Sequence, residues 1–115
     1  MRLLNKTKNK ILLEKVKVAD NPWTRIKGLL FTKRLEKGHG LWLIPCNSVH
    51  MFGMTYPIDL IYLNKGNRVI KLIEGIRPFR LGPIIFHAKS VIELPCFTLK
   101  ESDVALNDEL VLEGI

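Results

Sequence analysis

The chain has no apolar run near the roughly 20 residues that a membrane-spanning helix requires, so its sequence offers no helical span. Its first residues, Met1-Arg2-Leu3-Leu4-Asn5-Lys6, are basic but lack the apolar core of a signal peptide. Cytoplasmic placement is therefore the expectation. Cysteine is scarce, and Cys46 and Cys96 form neither a CxxC motif nor a zinc-finger spacing. In a reducing compartment they are expected as two buried free thiols rather than a disulfide. The chain also lacks a phosphate loop, a dinucleotide fingerprint, HExxH and GxSxG. No motif of nucleotide, zinc-protease or α/β-hydrolase chemistry is present, and no cofactor is expected.

What is there suits one ordinary domain spanning residues 1–115. Of its 115 residues, 47% are apolar and 25% charged, enough for a core without a stabilising metal or disulfide. No repeat, linker or low-complexity tract interrupts it. The formal charge of +7 is unevenly placed. Residues 1–37 hold eleven Lys or Arg against Glu14, Asp20 and Glu36, a balance of +8, which leaves −1 for the rest. Such an excess attracts phosphate. No aromatics interleave the basic residues before Trp23, however, and no recognition motif appears. The charge reads as a solvated basic surface, and nucleic acid is not the expected partner.

Several short strands punctuated by Gly and Pro predict a mainly β chain, a small β-sandwich or barrel-like domain with one short α-helix. Residues 1–9 read as a frayed end or a short edge strand. Ile11 to Ala19 contains the period-two alternation Lys15-Val16-Lys17-Val18, which predicts a half-buried strand with an edge guarded by lysines. Asn21-Pro22 suits a helix start, and Trp23, Ile26 and Leu30 share a helical face that stops between Thr32 and Leu35. Strands are predicted at Leu41–Ile44, Ser48–Met54, Ile58–Leu63, Arg68–Glu74, Lys89–Leu94 and Glu109–Glu113. Asn64-Lys65-Gly66-Asn67 joins two of them as a hairpin. Residues 75–86 read as a loop, and Phe97 to Asn107 as a region with room for a turn or short helix.

Three features carry potential chemistry. In an extended Ser48–Met54, Ser48, His50, Phe52 and Met54 share a face. Together with Cys46 they are soft ligand types suited to Cu(I), although Phe and Met more commonly fill cores. Asp59 lies in the apolar run Ile58-Asp59-Leu60-Ile61, where a buried carboxylate needs a hydrogen bond or a cation. It is either a structural clasp or a functional acid or base, with His50 or an arginine as its obvious partner. Arg77-Pro78-Phe79-Arg80 sets two guanidinium groups on a stiffened loop, able to grip a carboxylate or phosphate. Glu93 reads as an exposed strand residue on an outer face.

These residues also carry a resemblance. The stretch from His50-Met51-Phe52-Gly53-Met54 through Tyr56-Pro57-Ile58-Asp59-Leu60 is similar to the family called domain of unknown function 192. So are Arg25 to Leu29, Gly40 with Ile44-Pro45-Cys46, Arg77-Pro78-Phe79-Arg80, Val91-Ile92-Glu93-Leu94 and Asn107-Asp108-Glu109-Leu110. The resemblance implies a compact β-sandwich or barrel-like domain with a short helix. Its motif residues fall on His50, Met54, Pro57, Asp59, Arg77 and Pro78, and it implies no particular reaction.

The preferred reading is a non-enzymatic ligand-binding or accessory module. Its pocket would gather His50, Met54, Asp59, Arg77 and Arg80 around a small anionic ligand. One alternative is a small enzyme with His50 as general acid or base, oriented by Asp59. Another is a structural or protein-interaction module with no small-molecule site.

Overall fold

A computed structural model describes residues 1–20, 35–48, 55–78 and 80–114. Among the described residues eight strands run in the order β1 (Arg2–Asn5), β2 (Lys10–Leu13), β3 (Lys15–Ala19), β4 (His39–Leu43), β5 (Ile58–Leu63), β6 (Val69–Ile76), β7 (Ser90–Pro95) and β8 (Leu110–Glu113). A single turn of helix, α1 (Thr98–Glu101), follows β7. Among the described residues the fold is mainly β, as the punctuated sequence predicts, and α1 is a helix turn in the Phe97–Asn107 region. The Trp23-centred helix and most of the Ser48–Met54 strand fall on residues 21–34 and 49–54, outside the described residues.

The strands form two open sheets, ordered β2-β1-β8 and β3-β4-β7-β5-β6. Among the described residues neither sheet closes on itself, so the barrel alternative gives way to two layers. Facing side chains of the two sheets share one core. Leu3, Leu13 and Leu110 from the small sheet meet Trp42, Ile61, Leu63, Ile92 and Leu94 from the large one. Gly40 on β4 permits this approach. A Cβ there would stand 2.5 Å from Leu13 Cδ1 and 3.1 Å from the Glu93 carbonyl.

The large sheet is buried on its other face too. Ala19, Leu41, Leu43, Ile58, Leu60, Tyr62 and Val91 form a second cluster there, against which Cys46, Tyr56, Ile85 and Ala88 pack. Every residue of β5 is buried. This explains why Ile58–Leu63 reads as a continuous apolar run rather than an alternating one.

Two expectations need correction at the N-terminal end. Residues 2–5 are neither frayed nor an edge: β1 is the middle strand of its sheet, with Leu3 fully buried. The expected single strand Ile11–Ala19 breaks at Glu14. The halves join different sheets, and the N–H groups of Glu14 and Lys15 both turn to the Gly38 carbonyl, at 2.9 and 3.0 Å. The guarded edge is as expected. β3 ends the large sheet, and its Lys15 and Lys17 are exposed while Val16 is buried. β3 lies parallel to β4, a pairing that a tight hairpin cannot make.

Part of the basic first third pairs with acids at the end of the chain. Arg2 pairs with Glu113, Lys6 with Glu109, Lys8 with Asp108, Lys10 with Asp103 and Lys37 with Glu101. The antiparallel pairing of β1 with β8 brings these segments together. Exposed pairs stabilise by only about 0–1 kcal/mol each. Their consequence is electrostatic: much of the +8 does not form a free cationic face.

Candidate functional site

The outer face of the large sheet carries the unusual polar groups. Adjacent strands β7 and β5 place Glu93 opposite Leu60, and β4 places Leu41 on its other side. Glu93 therefore sits in the middle of an apolar sheet face and is only 4% exposed. Burial pushes its carboxyl up to about 7. Among the described residues no hydrogen bond or ion pair to this carboxyl is found. The expectation of an exposed Glu93 is thus overturned. The signal was present in Val91-Ile92-Glu93-Leu94, since apolar residues at both parities mark a strand buried on both faces.

Tyr62 lies on the same face, two residues along β5 from Leu60. Its hydroxyl donates to the Pro83 carbonyl at 2.9 Å. Burial first, and then the Cys46 thiol's charge, push its phenol up to about 12. Cys46 donates to the Ser48 carbonyl at 3.0 Å. Neither cysteine forms a disulfide, and each is half-buried rather than fully enclosed.

Two loops run together over this face. The Cys46 N–H donates to the Lys89 carbonyl at 2.9 Å, and the Ile85 N–H to the Asn47 carbonyl at 3.0 Å. The Ser48 hydroxyl reaches the Gly82 carbonyl at 3.4 Å. With the Tyr62 bond, these contacts tie the 77–89 loop to the sheet and to the segment that leads into His50.

The predicted site residues separate as follows. Arg77 and Arg80 are exposed, on a turn in which the Arg80 N–H donates to the Arg77 carbonyl at 3.3 Å. Among the described residues neither guanidinium has a carboxylate partner. Asp59 is fully buried, on the opposite face from Tyr62 and Leu60. Its Oδ1 accepts the Gly75 N–H at 2.8 Å and its Oδ2 the Leu99 N–H at 2.9 Å. These two bonds make the clasp envisaged for it. One stitches the place where β6 sets Glu74 and Gly75 against a single β5 residue. The other caps α1 from outside, where the N-cap residue Phe97 has no side-chain bond of its own. His50 and Met54 lie outside the described residues.

Among the described residues no three His, Cys, Asp or Glu side chains are grouped to hold an ion. Among them, too, no helix is long and apolar enough to cross a membrane.

A single sequence profile covers nearly this whole chain. Residues 3–112 match the profile of DUF192, described as "Uncharacterized ACR". The chain belongs to this family. A UPF0127 protein of Thermococcus sibiricus is 32% identical over 113 residues, covering 94% of this chain and 72% of that protein. A UPF0127 protein of Pyrococcus furiosus is 31% identical, covering 94% of this chain and 95% of that one. The fold recurs in a crystal structure of a protein of unknown function from Novosphingobium aromaticivorans. That structure has a TM-score of 0.82 and 16% identity, and the match covers 96% of this chain and 82% of that one. At such low identity the likeness speaks for the fold alone.

Proposed function

We propose that this family member is a non-enzymatic binding module, a β-sandwich whose 77–89 loop takes a small anionic ligand. The observation that carries this reading is the Arg77–Arg80 turn. It holds two exposed guanidinium groups without a described carboxylate partner, on a loop anchored through Gly82, Pro83 and Ile85. Guanidinium forks match carboxylate and phosphate oxygens, and an anchored loop loses little freedom on binding. In this reading His50 and Met54 complete the pocket, and Asp59 shapes it by holding β6 and α1 rather than by touching the ligand.

The enzymatic alternative requires Asp59 to orient His50. Each Asp59 oxygen accepts one backbone N–H, so its role as a clasp accounts for its burial without a catalytic partner.

Calorimetric titration with inorganic phosphate and with citrate tests the proposal. Saturable binding to wild type is expected, with a loss of about tenfold or more in Arg77→Ala/Arg80→Ala. Lys15→Ala/Lys17→Ala on the β3 edge should leave it unchanged. No saturable binding, or an equal loss in both variants, overturns it.

A further inference from the structure

The 77–89 loop exposes apolar side chains that a small anion does not explain. Leu81 is 68% exposed, Ile84 59% and Phe86 85%. Single exposed apolar residues are ordinary on protein surfaces. Three within six positions, on a segment held by four described hydrogen bonds, are not loose chain ends. Polar partners fix the backbone beneath them: the carbonyls of Gly82 and Pro83 accept from Ser48 and Tyr62, and the N–H groups of Ile85 and Ala88 are bonded.

Along the chain, the charges flanking this apolar stretch are of one sign. From Gly75 to Ile92 the sequence has no Asp or Glu. Arg77 and Arg80 precede Leu81, and Lys89 follows Phe86; all three cations are exposed. The nearest acids along the chain are Glu74 on β6 and the buried Glu93 on β7. Whereas Lys6, Lys8, Lys10 and Lys37 meet acids at the chain's end, no ion pair is described for these three cations.

We infer that the 77–89 loop docks the protein onto an anionic lipid surface, with Leu81, Ile84 and Phe86 entering the headgroup boundary and Arg77, Arg80 and Lys89 lying among the anionic headgroups. Apolar side chains flanked by cations fit this interface in both respects. Apolar area is buried at the acyl boundary, and each cation gains from the negative surface potential. A purely protein partner explains the apolar tip but has no need of a one-sign rim. The docking shares Arg77 and Arg80 with the anion-binding reading, but its apolar residues are its own.

Co-sedimentation with phosphatidylcholine vesicles containing about one third phosphatidylserine tests it. Wild type should bind these vesicles and not pure phosphatidylcholine. Raising NaCl from roughly 0.1 M to roughly 0.5 M should weaken binding about fivefold or more. Leu81→Ser/Ile84→Ser/Phe86→Ser should lose about tenfold in vesicle affinity while still binding free phosphate as wild type does. Because these side chains are exposed, the variant should keep the wild-type unfolding midpoint, which is read in parallel. Three outcomes overturn the inference: no binding to the anionic vesicles, undiminished binding by the apolar variant, or a self-association in solution that the variant abolishes without any vesicle binding by wild type. Loss of phosphate binding alone would count against the anion site and leave lipid docking standing.

Discussion

Asp59 Oδ1 accepts the Gly75 N–H at 2.8 Å, at one of the two points where the register of β5 against β6 shifts. Gly75 takes φ +63° there, a conformation that costs other residues strain. The irregular stretch of β6 cannot use the ordinary ladder, so the carboxylate replaces it. Its second oxygen does the same for the Leu99 N–H of α1.

Replacing Asp59 by Ala leaves two N–H groups without their acceptor. A hydrogen bond to a charged group contributes about 1.5–3 kcal/mol, so the expected loss is roughly 3 kcal/mol or more. Asp59→Asn should cost about half as much, since one amide oxygen remains and the NH2 faces a donor. Urea unfolding at neutral pH reads both. An unchanged midpoint in the Ala variant would show that the clasp contributes nothing.

Glu93 yields a prediction of opposite sign. Its folded value of about 7 lies above that of an unfolded glutamate. The folded chain therefore binds the extra proton, and stability falls as pH rises from about 4.5 to about 7. At higher pH the full penalty is present, roughly 3 kcal/mol for a shift of this size. Glu93→Gln should remove it. The variant should match wild type near pH 4.5 and exceed it by about 2–3 kcal/mol at pH 8. Thermal unfolding across that range checks this, and a variant less stable than wild type at pH 8 would contradict it.

Glu93 and Asp59 also show where the sequence was legible. Alternation and turn chemistry made most strands readable. The Asn64–Asn67 connection is one case: Asn64 Oδ1 accepts the N–H groups of Gly66 and Arg68, each at 3.0 Å, as an Asn at a turn start does. The clasp was foreseeable in kind, because a buried Asp needs donors, but not in partner. Its donors are backbone N–H groups 16 and 40 residues away, and backbone leaves no residue-type signal. The exposed reading of Glu93 gives its charge more weight than the apolar Val91, Ile92 and Leu94 around it, which lie at both parities and mark both faces as covered. The pairing of β1 with β8, which turns basic residues toward acids at the far end, depends on long-range register.

Asp108 Oδ2 collects three donors: Asn5 Nδ2 at 2.8 Å, Lys8 Nζ at 2.9 Å and the Ala105 N–H at 2.9 Å. Burial pushes its carboxyl up, but the bonds from Asn5, Lys8 and Ala105 outweigh this and hold it below the usual range. The folded value is thus depressed. The stability it contributes is present above the unfolded value and is lost as pH falls through the folded one. Asp108→Asn should be less stable than wild type by about 1–3 kcal/mol at pH 7. The gap should close in strong acid, where wild type is protonated as well. Unfolding midpoints at both pH values decide it, and a gap independent of pH would mean that charge is not what the site uses.

Tyr62 ties the sheet to the 77–89 loop through its bond to Pro83. Tyr62→Phe keeps the ring in the core and removes only the hydroxyl. One neutral hydrogen bond lost should lower global stability by about 1 kcal/mol. The effect should concentrate in the loop, so amide exchange at Ile85 and Ala88 is expected to rise about fivefold, while the strand amide of Ile61 follows the global change alone. The phenol gives an independent signature. Its folded value of about 12 lies above that of a free tyrosine, so stability falls as pH rises from about 10 toward 12. The chain holds two tyrosines, Tyr56 and Tyr62. Ultraviolet titration of wild type should therefore contain a tyrosine step near 12 that is missing in Tyr62→Phe. If the variant loses an ordinary step near 10 instead, Tyr62 is not the buried phenol, and its anchoring of the loop falls with that assignment.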